Sequence, residues 1–491
     1  MDFLNKNNRR IINRNELLLT LVLSFICVIL IWFSTRSGGA QNLFFGVAGI
    51  IGIIILFLSL MNPLIGFYIC IVSSFFIFII VRFLNSDIPL VSLIDVMVYV
   101  VFIGIMIDKL LKREKFWKSC SNPIVFLYGL ILIYYLIEFF NPNAISKEIY
   151  FLLFRRFITI LLFFYCAIQL FTTFERIKQF FRIIIFLAIL AAVYGVFQKW
   201  FGIPAFEIAY FERGENGPSG LGMLDNGEYR IPSFVSDCTA FGLLMSGVLI
   251  ILLSIELNYK RPYYVKGMFI FFIVLMALAM SYSGTRTATF MLFVEVCLYI
   301  LITSTKRKTI LFSFFFAIVL GAIFFAPSYG NSTLIRLKST FETEDESLKV
   351  RDVNRKFIQP YIHSHPLGGG VGSTGVVNIK YNTGHPLAGF PTDSGLLAMA
   401  LEFGWIGLIL QCLTYFVTLQ QGIRGYFRSN NQKFKLIFMA STLCVFGYVV
   451  AQYAQIAIGQ IPGGFLFYGL TAIIIKLRYI DKKESQSKII S

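Results

Sequence analysis

Apolar runs of roughly 17–24 residues, the length that crosses a bilayer core as a helix, alternate with short polar segments along nearly the whole chain. The pattern predicts about fourteen spans, near 16–33, 43–61, 64–84, 89–107, 123–140, 149–171, 180–198, 236–255, 264–282, 286–303, 309–326, 393–419, 435–457 and 463–478. Only Asn62-Pro63 separates the second from the third. Two interruptions are too long to be turns, roughly 199–235 and 327–392. The expected fold class is an all-α polytopic membrane protein with a long extracytoplasmic loop that carries short helices. Its expected parts are N-terminal transmembrane helices (1–144), core transmembrane helices with the first outer loop (145–326), the long loop (327–392), and C-terminal helices with a tail (393–491).

Composition agrees with the pattern: 57% of the 491 residues are hydrophobic and 14% charged, too few polar groups to coat a soluble protein of this size. Lys and Arg crowd alternate short loops, as at Lys109–Lys118, Arg176–Arg182, Lys306–Lys308 and Arg424–Lys435. Basic loops stay cytoplasmic, so both termini are expected in the cytoplasm and the two long loops outside. The first span reads as an uncleaved anchor. The net charge of +17 follows from inner loops facing anionic lipid. No extramembrane segment is large enough for a nucleic-acid-binding domain. The eight cysteines lie in or beside spans with no CxxC among them, which argues against disulfides and against a zinc site; neither a metal nor a cofactor is expected.

Several residues break the sidedness. Arg230, in Tyr229-Arg230-Ile231-Pro232-Ser233-Phe234, and Arg286, in Ser283-Gly284-Thr285-Arg286, stand at outer boundaries, and Arg351 and Arg355 share a predicted amphipathic helix with Ile358 in the long loop. A single such arginine is explained by snorkelling to headgroups. Several on one side suit an anionic group such as a diphosphate, which guanidinium binds bidentately. Arg155 and Arg156 lie about two turns inside the sixth span, and intramembrane charge marks a candidate site. Asp95, Glu295 and Glu402 are further buried candidates, or bridges between spans.

The chain's three histidines, His363, His365 and His385, all fall in the long loop, two of them opening His363-Ser364-His365-Pro366-Leu367-Gly368-Gly369-Gly370-Val371-Gly372. Gly370, Gly372 and Gly375 form a formal GxGxxG, but without the βαβ setting a dinucleotide needs. The glycines make a turn, or bring backbone N–H groups close to a phosphate or sugar. Asp393, before the twelfth span, is a natural helix N-cap or a carboxylate placed to take a proton from an acceptor hydroxyl.

In order, the Arg230 segment, Ser283 to Ala288, the arginine helix running into Pro366-Leu367-Gly368-Gly369-Gly370-Val371-Gly372, and Asp393-Ser394 leading to Glu402, Gly404 and Gly407 resemble the O-antigen ligase/polymerase family (Wzy and WaaL type) over roughly 145–475. The resemblance implies a GT-C-like, metal-independent inverting glycosyltransferase acting on a glycan carried by undecaprenyl diphosphate at the outer face of the bacterial cytoplasmic (inner) membrane. Arg230 and Arg286 would bind the diphosphate, aided by Arg351, Arg355, Arg155 and Arg156; His363, His365, Gly370 and Gly372 would contact substrate from the loop; Asp393 or His385 would be the base. Ligase-like members carry His-Asn where this chain has Asp393-Ser394, which leans toward a polymerase, with a ligase to lipid A core, protein or another acceptor as the alternative and a lipid-linked oligosaccharide flippase third. Besides the lipid bilayer, the implied partners are other polysaccharide assembly proteins, a flippase and a chain-length regulator.

Overall fold

A computed structural model describes residues 40–84, 90–116, 120–212, 228–259, 262–325, 327, 329, 331–340 and 346–490. Among these the chain is all-helical, with sixteen α-helices and no strand. In order they are α1 (Ala40–Met61), α2 (Pro63–Leu84), α3 (Ser92–Leu111), α4 (Pro123–Ile137), α5 (Lys147–Leu170), α6 (Phe174–Phe201), α7 (Ala205–Glu212), α8 (Cys238–Asn258), α9 (Tyr263–Tyr282), α10 (Arg286–Thr303), α11 (Arg307–Phe325), α12 (Ser332–Ser339), α13 (Glu346–Ser364), α14 (Gly395–Arg428), α15 (Gln432–Ala451) and α16 (Gly463–Ile490).

Every predicted span from 43–61 onward coincides with one of these helices, while 16–33 lies outside the described residues. Eleven described helices are long and apolar enough to cross a membrane, fewer than the fourteen expected. One further helix falls short for an identifiable reason: α3 carries Asp95, Asp108 and Lys109 within twenty residues.

Polar caps set where several helices begin. Asn122 accepts from the Ile124 N–H (2.9 Å), with Pro123 in the first turn, and Asp237 accepts from the N–H groups of Thr239 and Ala240 at 2.8 and 2.9 Å. Each cap satisfies donors that a helix start leaves open. The bundle is centred on α8 and α16, each 83% buried along its apolar window, whereas α11, at 6%, lies on the rim. Small residues permit the closest crossings: a Cβ on Gly247 of α8 would stand 2.9 Å from the Cys444 sulfur of α15. Close approach through small residues is the usual means of helix packing where solvent supplies no hydrophobic drive.

Helix alternation gathers 141–146, 228–237, 283–285, 331–340, 346–394 and 452–462 at one end of the bundle. Contacts among them agree, including Arg230 with Ser283, Asn141 with Leu367, and Arg355 with Tyr453. The opposite end holds the short basic connections.

Candidate active site

The segment bearing Arg230 folds back on the turn between α9 and α10. Its Nε donates to the Ser283 carbonyl (3.0 Å) and its Nη2 to the Thr285 hydroxyl (2.7 Å). The Thr285 hydroxyl itself donates to the Cys238 carbonyl (3.1 Å), and the Ile231 N–H donates to the Tyr282 carbonyl (3.3 Å). Because that hydroxyl is committed, Thr285 stands at the N-cap position of α10 without capping it. Arg286 is the first residue of the helix. Arg230 is thus bonded to the residue just before Arg286, 56 positions away in sequence, at a helix start with no side-chain cap, where N–H groups and the helix dipole already favour an anion.

A buried residue that the sequence reading did not single out holds this segment. Arg82, near the end of α2, is 1% exposed and pairs with Glu207 of α7 at 2.8 Å. It also donates to the carbonyls of Ser233 (2.6 Å), Val235 and Ser236 (3.3 Å). Glu207 takes further hydrogen bonds from Tyr194 (2.5 Å) and Gln198 (3.0 Å). Ser233 sits in the left-handed region (φ 53°), with its hydroxyl on the Ala191 carbonyl. An arginine near the end of a span was the available signal; its partner 125 residues away was not.

The long loop forms a second body around α14. Gly404 breaks that helix (φ 62°, ψ −162°), and a Cβ there would overlap the Pro366 carbonyl oxygen. The freed backbone is taken up by the glycine segment: Gly369 N–H donates to Leu401 O (2.7 Å), Gly370 N–H to Glu402 O (3.1 Å) and Trp405 N–H to Pro366 O (3.0 Å). The Glu402 carboxylate accepts from Gly372 N–H (3.0 Å) and the Thr374 hydroxyl (2.5 Å). The expectation that Gly370 and Gly372 offer their N–H groups to a substrate is therefore corrected, because both are spent on α14. The close approach is to protein as well, since a Cβ on Gly370 would lie 2.5 Å from Ala144 and one on Gly372 2.6 Å from Ile149.

His385 is also committed to the loop. It is 6% exposed, and its Nδ1 accepts from the Leu387 N–H (3.0 Å). Burial holds its pKa below the ordinary 6.5 in spite of the Asn143 and Gly369 backbone groups that favour the charged form, and His365 adds to the depression. A buried imidazole whose acceptor nitrogen is occupied is poorly placed to serve as a base. The sign for stability follows: the unfolded chain binds the proton more tightly, so the contribution is complete above pH 6.5 and is lost as pH falls toward the lower folded value. Protection from hydrogen exchange across 366–390, taken relative to the intrinsic exchange rate at each pH, is expected to fall as pH drops below 6.5 in the wild type and to lose that dependence in His385→Gln.

His365 stacks on Tyr361 at 4.0 Å, and its Nδ1 lies 2.9 Å from the Ser364 hydroxyl. His363 is exposed, 6.0 Å from the Trp405 ring. Among the described residues no three His, Cys, Asp or Glu side chains gather as a metal site.

Arg355, on α13, is fixed over the Tyr453 ring at 4.2 Å and donates to the Tyr453 hydroxyl (2.6 Å) and carbonyl (3.1 Å). Arg355 and Asp393 line one small cleft with Asn354 and Ser394. Ser394, not Asp393, is the N-cap of α14, accepting from Leu397 N–H at 3.3 Å. The exposed Asp393 carboxylate stands one residue outside the helix start. The side chain of Arg351 lies outside the described residues. Arg155 pairs with Asp95 of α3 at 2.9 Å and Arg156 is exposed, so this pair is not drawn into either arginine group. Glu295 accepts from Ser246 of α8 (3.2 Å), a bridge between spans within the bundle.

These features define a polytopic helical membrane protein with cationic groups and a carboxylate at one end of the bundle. Residues 271–412 match the family described as O-antigen ligase, Wzy_C, which bears out the resemblance to the O-antigen ligase/polymerase family. The matched stretch is shorter than the expected 145–475; it takes in Arg286, Arg355, the glycine segment, Asp393 and Glu402, and leaves Arg230 outside. No curated protein matches the chain.

Proposed function

We propose that this chain is a polysaccharide polymerase. It transfers a glycan from undecaprenyl diphosphate to a sugar hydroxyl of another lipid-linked repeat unit, at the outer face of the cytoplasmic membrane. The observation that carries the reading is the bonding of Arg230 to Thr285, the residue before Arg286, at the start of α10. Two guanidinium groups and a helix N-terminus at a bilayer boundary match a membrane-anchored diphosphate better than a neutral sugar.

In the proposed step the acceptor oxygen bonds to the anomeric carbon from the face opposite the leaving group. The bond from that carbon to the diphosphate oxygen breaks, and its electron pair goes to the diphosphate. Arg230 and Arg286 stabilise the charge that develops there, which is electrostatic preorganisation. The leaving group is already a weak base, so a strong general acid is unnecessary. The acceptor proton goes to Asp393, beside Arg355 in the shared cleft. In this reading the enzyme inverts configuration, has a GT-C-like fold and needs no metal.

A ligase is the second reading, favoured by the description of the matching family. Glycan profiling of a deletion strain carrying wild-type or Arg286→Ala protein separates the two. Collapse of the ladder to one repeat unit in the variant marks a polymerase, and intact lipid-linked polymer that never reaches its acceptor marks a ligase.

Asp393 has its own test. Because Ser394 caps the helix, Asp393→Asn is expected to keep that cap while lowering transfer by about 10²–10⁴-fold, the usual worth of general-base catalysis. Ser394→Ala should show the reverse, costing about 1 kcal/mol of stability with near-normal transfer. Full activity in Asp393→Asn would remove that carboxylate from the mechanism.

A further inference from the structure

The end of the bundle away from the arginine turn holds a cleft of about 480 Å³ between α14, α16 and the start of α4. Arg424 and Arg428 line it from α14, and Arg478 and Lys482 from α16, against one carboxylate, Asp481. Each pair is spaced i, i+4, so both members of a pair face the same way. The inner wall is apolar, with Val417 and Phe438, and its floor is closed by a reciprocal hydrogen-bonded pair, Asn122 with Gln421 at 3.0 and 3.1 Å.

Pro123 is shared with a second groove of about 710 Å³ that runs along α4 past Val125, Phe126, Gly129, Leu130 and Ile133. Phe126 is 66% exposed and Ile133 54%, so the groove is apolar and open among the described residues. Gly129 widens it, since a Cβ there would have no atom within 4 Å. A cationic cleft continuous with an apolar groove has the two halves of a phospholipid. Basic pockets between transmembrane helices bind anionic headgroups, and guanidinium forks suit phosphate oxygens. A free phosphate would use the cleft but has no need of the groove.

We propose that these two cavities form a binding site for an anionic phospholipid of the leaflet opposite the candidate active site. Its phosphate rests among Arg424, Arg428, Arg478 and Lys482, and one acyl chain lies along α4. The site shares no residue with the proposed transferase machinery and does not depend on that reading.

The test uses the full chain in phosphatidylcholine nanodiscs, with phosphatidylglycerol titrated in and the retained lipid read by native mass spectrometry. Phosphatidylglycerol is expected to be retained at least about tenfold over phosphatidylcholine. Each cation near the membrane surface is worth about fivefold, so Arg424→Gln/Arg428→Gln/Arg478→Gln should lose roughly a hundredfold. Gly129→Phe fills open space and should fold normally, yet weaken lipid retention with the cations intact. Inorganic phosphate at equal concentration should not displace the lipid. Equal retention of the two lipids, an unchanged triple variant, full retention in Gly129→Phe, or displacement by inorganic phosphate would each overturn the proposal.

Discussion

Arg286→Ala is expected to lower glycan transfer by about 10²–10³-fold, the usual loss when one preorganised donor to a developing anion is removed. The bonds that build the turn are made by the Ser283 and Tyr282 carbonyls and the Thr285 hydroxyl. The variant keeps these bonds and should therefore still insert. Arg286→Lys keeps the charge but not the planar fork, and should recover part of the rate. Arg230→Ala removes a cation together with two hydrogen bonds to the turn, so both rate and melting temperature should fall. Transfer from a defined prenyl-diphosphate donor in proteoliposomes, alongside thermal unfolding of each variant, checks this contrast. Near-normal product from Arg286→Ala would dispose of the diphosphate site.

The helices were legible because a bilayer imposes a length on every crossing, and the apolar runs from 43–61 onward each became one helix. What the runs do not encode is which helices are neighbours. The sequence places Arg230 and Arg286 on one side, but the bond of Arg230 to Thr285, beside Arg286, depends on how α8, α9 and α10 pack. The glycine segment misled in a specific way. Its spacing signals close backbone approach, and the approach is real, but the partner is the broken helix at Gly404 and not a ligand. Asp393 read as a natural N-cap, but it is the next residue, Ser394, whose hydroxyl accepts from the Leu397 N–H. His385 stood out as one of three histidines in a single loop, yet a buried imidazole with its acceptor nitrogen filled is a packing element.

The Arg82–Glu207 pair carries the other large expected effect. Arg82→Met would leave the Glu207 carboxylate buried without its cation and strip the Ser233, Val235 and Ser236 carbonyls of their donor. Removing one partner of a buried pair costs about 3–5 kcal/mol, enough to lower the unfolding temperature sharply. Transfer should fall as well, because these carbonyls fix the segment that aims Arg230. Arg82→Met/Glu207→Gln removes both charges and should regain much of the lost stability. It should not regain the activity, since the loop carbonyls still lack a donor. That split between stability and rate distinguishes a positioning residue from a merely structural one, because a purely structural pair would restore both together. A double variant as active as the wild type would mean that the 229–236 segment needs no help from α2 to present its arginine.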